Sequence, residues 1–140
     1  MKNVFIILTA LMTLFVSTAV LGNNINPVKD KVIVFKCATV LVQDADTLET
    51  IDYTDNAEMF LILDTGENTL SIETTDVYIL LIDLDFVEKI TLEDGAKGNL
   101  YSGYFSTSRE EVTLFFADDA NTIVVITKLQ SYFYLDLTVI

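Results

Sequence analysis

The 140-residue sequence contains no histidine and no tryptophan, and it has only one cysteine and one proline. Without histidine there can be no His-dependent catalytic triad or dyad and no histidine ligand for zinc or haem. The single cysteine, Cys37, excludes a disulfide within one chain. It lies in the apolar run 32–42, where we expect it to act as a small hydrophobic residue rather than a reactive thiol. The domain must therefore be stabilised by its hydrophobic core.

Positive charge is also scarce, with 8 Lys and Arg residues against 21 Asp and Glu residues and a formal net charge of −13. A protein gains affinity for nucleic acid by neutralising phosphates and releasing their counterions, and an acidic surface cannot do this. An anionic membrane surface would repel it as well. We therefore expect neither nucleic acid nor an anionic lipid surface to be the partner.

The N-terminus has the pattern of a signal peptide. A positive start at Lys2 precedes the apolar run Val4–Val16, and small residues then offer cleavage after Ala19 or after Gly22. We predict that residues 1–22 are this signal and that the protein is secreted or periplasmic, with no membrane insertion after cleavage. The alternative is a retained N-terminal anchor, because the run reaches 18 residues if it is continued to Leu21.

The rest of the chain indicates one domain. A polar leader, residues 23–30, contains the only proline, and no linker or repeat interrupts residues 31–140. Apolar residues there alternate with a period of two and are rich in β-branched and aromatic types, which predicts strands. The predicted strands are Val32–Val42, Met59–Leu63, Thr69–Thr74, Val77–Leu92, Leu100–Ser106, Glu111–Ala117, Ile123–Ile126 and Ser131–Val139, with a weaker one at Thr47–Tyr53.

These segments predict an all-β fold: a single antiparallel domain of about eight or nine strands, either a β-sandwich or an up-and-down, barrel-like meander. In Ser131–Val139, Phe133 and its alternate neighbours would face the core, while Tyr132 and Tyr134 would face outward.

Two positions indicate irregular strands. In Val77–Leu92 the residues Tyr78, Leu80, Ile82, Leu84 and Phe86 would share one face, but the pattern changes afterwards, which predicts a bend or bulge near Val87–Lys89. Gly103 interrupts another strand, and a glycine there indicates a bulge or a close backbone approach.

Three groups of residues are candidate sites. Asp44, Asp46 and Glu49 are a weak Ca²⁺ candidate, because Ca²⁺ binds several oxygen ligands in a loop. Asp83 and Asp85 lie two residues apart and could share acid and base roles in a carboxylate-dependent hydrolase. Solvation of turns and strand faces is the competing explanation for both groups.

Aromatic residues form the third group. Tyr132, Tyr134, Tyr101 and Phe105 are a candidate binding surface, since exposed aromatics offer large contact areas at small entropic cost. If a second layer covers them, they are simply core residues.

The sequence leaves three functions open. We expect an exported acidic domain without a cofactor that binds a partner protein or a small apolar ligand. The first alternative is the hydrolase with Asp83 and Asp85. The second is an assembly module, a possible homo-oligomer, that pairs through a C-terminal edge strand Ser131–Ile140.

Overall fold

The computed structural model describes residues 31–54 and 58–140. The predicted signal peptide, residues 1–22, and the polar leader, residues 23–30, lie outside the described residues. The described chain is all-β, as predicted. Its strands are β1 (Val32–Cys37), β2 (Thr39–Asp44), β3 (Thr50–Asp52), β4 (Met59–Asp64), β5 (Thr69–Glu73), β6 (Tyr78–Thr91), β7 (Lys97–Phe105), β8 (Glu111–Ala117), β9 (Ile123–Ile126), β10 (Gln130–Leu135) and β11 (Thr138–Val139).

All eleven strands belong to one antiparallel sheet with the order β11-β1-β4-β5-β6-β7-β8-β9-β10-β2-β3. From β4 to β10 each strand pairs with the next one in the chain, because the connections are short turns. Within the described ranges, no helix has the length and apolar character needed to cross a membrane.

Ala38 alone separates β1 from β2, although these strands are near opposite ends of the strand order. The same break occurs at the other end of the chain, where Asp136 and Leu137 separate β10 from β11. Thr39 of β2 pairs with Leu135 of β10, and Lys36 of β1 pairs with Thr138 of β11. The predicted strands Val32–Val42 and Ser131–Val139 are therefore each divided, which is one reason why the structure has more strands than the sequence predicts.

The main core lies on one face of the sheet, and its buried members come from eight of the eleven strands and from Leu137. Its buried members are Phe35, Cys37, Val40, Leu61, Leu70, Ile72, Leu81, Leu84, Val112, Leu114, Ile123, Val125, Tyr134 and Leu137. We call this side of the sheet the core face. Burial of this many apolar side chains is the main stabilising contribution in a chain that cannot form a disulfide.

The opposite side of the sheet carries a second apolar cluster. Leu41, Ile90, Leu92, Leu100, Phe115, Val124 and Phe133 are buried there. We call this side the second face. The prediction that Ile123–Ile126 is apolar on both sides is consistent with this arrangement, because Val124 belongs to the second cluster and its neighbours Ile123 and Val125 to the core.

Strand β6 contains two register shifts against β7. The shift between Phe86 and Glu88 confirms the irregularity predicted near Val87–Lys89. The other, between Ile82 and Asp85, was not predicted. As a result Leu81 and Leu84 both reach the core although they are three residues apart, whereas Tyr78 is 64% exposed. The predicted common face of Tyr78, Leu80, Ile82, Leu84 and Phe86 is therefore wrong.

The predicted orientation of the last strand is also wrong. Tyr134 is buried in the core and Phe133 on the second face, so both sides of β10 are covered. Asp136 then adopts a positive φ of 55°, which interrupts the alternation and returns Leu137 to the core. Val139, predicted to face inward, is exposed.

Candidate functional site

An apolar pocket of about 290 Å³ lies beside the turn between β4 and β5. We call it the aromatic pocket. Its lining residues are Leu63, Asp64, Thr65, Asn68, Leu84, Tyr101 and Phe116. Most of its lining surface is apolar, which suits an apolar ligand.

The pocket brings together strands that are distant in the sheet. Leu63 belongs to β4 and Phe116 to β8, which are four places apart in the strand order. Strands that are hydrogen-bonded neighbours lie about 4.8 Å apart, so a flat sheet would separate these two by roughly 19 Å. The sheet must curve strongly for both to line one small pocket.

The unpredicted register shift in β6 places Leu84 in the pocket. Asp83 has a positive φ of 56°, and Asn68, in the facing turn, has one of 57°. The backbone N–H of Leu84 donates to the carbonyl oxygen of Asn68 over 3.0 Å. Asp and Asn are the residue types that accept this backbone conformation most readily after glycine. The bulge therefore turns Leu84 toward the core face and binds it to the β4–β5 turn.

Three aromatic rings form a row at the pocket. Phe86 and Tyr101 meet edge to face with ring centroids 5.7 Å apart, and Tyr101 meets Phe116 in the same way at 5.2 Å. Each such pair contributes about 0.5–1.5 kcal/mol beyond the burial of its area. Phe86 is 47% exposed, so the row extends from the pocket to solvent.

The pocket wall includes a polar group at Tyr101. Burial raises the pKa of the Tyr101 hydroxyl, and a hydrogen bond with the side chain of Asn99 offsets part of this rise. The amide oxygen of Asn99 is buried and has no hydrogen-bond partner among the described residues. A buried acceptor without a partner is costly, but Asn99 does not itself line the aromatic pocket.

The turn at the pocket rim is held by hydrogen bonds. The carboxylate of Asp64 accepts the backbone N–H groups of Gly66 and Glu67, both over 3.0 Å. Thr65 is bound to Lys31, whose backbone N–H donates to the Thr65 hydroxyl over 2.9 Å. The rim is therefore ordered before any ligand binds.

Of the four predicted binding aromatics, only Tyr101 lines the aromatic pocket. Phe105 and Tyr132 are partly buried and pack against the core, and Tyr134 is fully part of it. The Tyr132 hydroxyl donates to the side-chain oxygen of Gln130 over 2.6 Å. Sequence reasoning missed Leu63, Leu84 and Phe116, which look like ordinary core residues in their strands.

The predicted hydrolase pair lies outside the aromatic pocket. Asp83 and Asp85 are both exposed, and neither lines the aromatic pocket. Asp83 occupies the bulge itself, so its residue type is explained by backbone conformation. This removes the geometric support for acid and base roles of the pair.

The predicted Ca²⁺ loop uses its acidic group for its own backbone. The Asp44 carboxylate accepts the N–H groups of Asp46 and Thr47 over 2.8 and 2.9 Å, and these bonds lower its pKa. In the part of the chain that the structure describes, no three Asp, Glu, Cys or His residues are grouped so that they could hold a metal ion. The loop is a solvated turn of the kind that Asp commonly stabilises.

A larger groove of about 600 Å³ lies elsewhere on the sheet. Polar residues make up most of its lining, including Ser102, Glu110, Glu111 and Lys128. Because the groove is open and its lining includes three charged side chains, it resembles ordinary hydrated surface more than a site for an apolar molecule.

Comparison of the chain with protein-family models, with curated proteins and with solved structures gives no match in any of the three. Any functional assignment must therefore rest on the geometry of the described residues.

Proposed function

We propose that this protein is a non-enzymatic binding domain that takes a small apolar ligand in the aromatic pocket. The observation that carries the proposal is the convergence of Leu63, Leu84, Tyr101 and Phe116 around one cavity. Ligand sites in proteins are typically concave and apolar, with a small number of placed polar groups.

We also propose that the sheet closes on itself as a barrel-like meander rather than splitting into a sandwich. If β1–β2, β3–β4 and β10–β11 are each counted as one bent strand, the eleven strands become eight. The first bent strand then pairs with the last one along its length and with β3–β4 on its other side. An antiparallel barrel of eight strands has room for about one small ligand.

The size and chemistry of the pocket restrict the ligand. A volume of about 290 Å³ is near the lower end for ligand sites, so the ligand would be compact. Aromatic walls favour a ring system or a short branched chain. The formal charge of −13 disfavours an anionic ligand.

The other candidate functions have weaker support. A hydrolase would need Asp83 and Asp85 in a cleft, and both are exposed. Assembly through Ser131–Ile140 would need a long free edge, but Ser131–Tyr134 is paired on both sides, with β9 and with β2, and only the two-residue strand β11 lies at the end of the strand order. A partner protein would contact exposed apolar side chains such as Tyr78, Phe86 and Val87, which do not line the aromatic pocket.

A fluorescent probe tests the proposal. N-phenyl-1-naphthylamine is neutral, compact and apolar, and its emission rises when it leaves water. We expect saturable binding by the wild type. The variant Leu63→Phe fills the pocket and should weaken binding at least about fivefold, which is about 1 kcal/mol. The control Leu129→Phe makes the same change at a side chain that is 71% exposed, and it should bind as the wild type does.

Native mass spectrometry of protein purified from its own producing cells would then identify a natural ligand as an added mass. The proposal is wrong if Leu63→Phe keeps its melting temperature and still binds the probe with unchanged affinity.

A further inference from the structure

Strand β3 lies at one end of the strand order and, within the described ranges, pairs with β2 alone. The backbone N–H of Tyr53 donates to the carbonyl oxygen of Val40 on β2 over 2.8 Å. Hydrogen-bonded and non-hydrogen-bonded pairs alternate along an antiparallel ladder, so the backbone groups of Thr50 and Asp52 point away from β2. We call this outward side of the strand the β3 edge.

The side chains next to the β3 edge are open to solvent. Ile51 is 54% exposed and Tyr53 is 57% exposed. Unpaired backbone groups beside large exposed apolar side chains are the features on which a further strand can pair. The edge therefore offers both hydrogen bonds and apolar contact to an extended segment.

A small pocket of about 210 Å³ adjoins the end of β3. Tyr53 and Thr54 contribute to its lining, and so do Asp76 and Val77 from the turn between β5 and β6. A hydrogen bond from the backbone N–H of Thr74 to the carbonyl oxygen of Val77, over 2.9 Å, closes this turn. We call the cavity the edge pocket, and one of its walls is thus an ordered turn.

The lining of the edge pocket suits a long basic side chain. Tyr53 and Val77 offer apolar surface to the methylene groups of Lys or Arg. The Tyr53 ring attracts a cation above its face, and the carboxylate of Asp76 can pair with the charged group. An apolar side chain would leave this carboxylate without a partner.

The charge around the β3 edge also favours a basic partner. The sequence has no Lys or Arg between Lys36 and Lys89, so β2 to β5 and their turns carry acidic residues without basic ones. Asp52 lies on the edge itself and Glu49 directly precedes the strand. Like charges on an edge oppose pairing with a second copy of the same chain, whereas they attract a cationic segment.

We propose that the β3 edge binds an extended basic segment of a partner protein as an additional strand, with one Lys or Arg side chain in the edge pocket. The backbone groups of Thr50 and Asp52 supply hydrogen bonds, and the edge pocket selects the side chain. Because side chains alternate along a strand, basic residues at every second position would face the pocket side. The site shares no lining residue with the aromatic pocket, so this inference is independent of the proposed function.

A fluorescein-labelled peptide of eight residues, in which Arg alternates with Val, tests the proposal by fluorescence anisotropy. We expect saturable binding to the wild-type protein that weakens as salt is added. The same peptide with methyl groups on alternate backbone nitrogens keeps its charge but loses donors to the edge. It should bind at least about tenfold more weakly, which corresponds to about one or two lost hydrogen bonds.

Variants of the protein test the edge pocket. Asp76→Asn and Tyr53→Ala should each weaken binding of the parent peptide at least about fivefold. The control Glu67→Gln removes the same charge as Asp76→Asn at an exposed position in the β4–β5 turn, and it should stay within about twofold of the wild type. Equal effects of Asp76→Asn and Glu67→Gln would show that net charge alone attracts the peptide, and the proposal would be wrong.

Amide hydrogen exchange locates the bound peptide without any variant. Exchange at Thr50 and Asp52 should slow when the peptide is added, because their N–H groups become hydrogen-bonded. The proposal is overturned if the wild type does not bind the peptide, or if the methylated peptide binds as tightly as the parent. It is also overturned if the protein alone self-associates in light scattering and Ile51→Lys abolishes this, since a second copy would then occupy the edge.

Discussion

Leu84 fills the space that a side chain at Gly103 would need. A Cβ atom built at position 103 would lie 2.7 Å from Cδ2 of Leu84 and 3.1 Å from the carbonyl oxygen of Ile82. The predicted close approach at Gly103 is therefore confirmed. It occurs where the unpredicted bulge in β6 brings Leu84 against β7.

Gly103→Ala should destabilise the protein by about 1–3 kcal/mol, because the new methyl group overpacks the contact with Leu84. Displacing Leu84 toward the aromatic pocket should also weaken probe binding. Denaturant unfolding measures the first effect and the probe titration the second. The control Ser102→Ala changes the exposed neighbouring residue and should alter neither. Unchanged stability of Gly103→Ala would mean that Leu84 can move without cost.

Asp83→Val should cost about 1–2 kcal/mol in free energy of unfolding. Position 83 has a positive φ of 56°, which a β-branched residue tolerates poorly. Asp85→Val is the matched control, since it makes the same change at an exposed position two residues away that does not have a positive φ. We expect it to be close to neutral. Equal effects of the two changes would show that lost charge, rather than backbone conformation, determines the cost.

Cys37 should react slowly in the folded protein. Burial raises the pKa of its thiol, and hydrogen bonds to the backbone at Thr39 and Leu135 offset part of this rise. The thiolate is the reactive form, so we expect labelling by iodoacetamide at pH 8 to be at least about tenfold slower than in denaturant. Mass spectrometry of timed samples measures both rates. Equal rates would show that the thiol is accessible.

The protein should lose stability above about pH 10. Burial holds the pKa of Tyr134 well above its ordinary value of 10.0, with smaller contributions from Tyr132 and Cys37. Because the unfolded chain releases this proton more easily than the folded one, the stabilising contribution is complete below pH 10 and is lost as the pH rises further. Free energies of unfolding measured between pH 8 and pH 11 test this.

Tyr134→Phe should make that alkaline loss shallower. The control Tyr78→Phe removes a hydroxyl from a side chain that is 64% exposed and should leave the slope as in the wild type. If both variants behave alike, Tyr134 is not the group responsible.

Millimolar Ca²⁺ should not raise the melting temperature. The Asp44 carboxylate already accepts two backbone N–H groups, and the loop around it does not gather three carboxylates among the described residues. Thermal unfolding with Ca²⁺ and with Na⁺ at matched ionic strength measures this. A rise of several degrees with Ca²⁺ alone would show specific binding to the folded state.

The period-two pattern of this sequence predicts the strands well. Glu111–Ala117 and Ile123–Ile126 have the bounds that the sequence indicates, since local turns and alternating residues define them. The irregularity near Val87–Lys89 is also visible, because a charged residue there falls on the apolar side of the pattern. These features depend only on neighbouring residues.

The aromatic pocket is less accessible to sequence reasoning. Leu84 reaches it through a bulge at Asp83, and that bulge depends on a hydrogen bond to Asn68 in another turn. The sequence predicts that Tyr134 is exposed, because an alternating strand normally has one solvent-facing side. In the structure both sides of β10 are covered. Sequence periodicity cannot show which face of a strand a distant part of the chain will cover.

The single residue Ala38 between β1 and β2 has a consequence for the order of folding. β1 pairs with β11, and β2 with β10, so the first strands of the domain need partners that lie about 100 residues later in the chain. Contacts of such long sequence separation form late and slow the folding rate. During synthesis the sheet cannot be completed until β10 and β11 have left the ribosome. A nascent chain from which residues 130–139 have not yet emerged leaves β1 and β2 without these partners, so the sheet is expected to be completed only after β10 and β11 emerge.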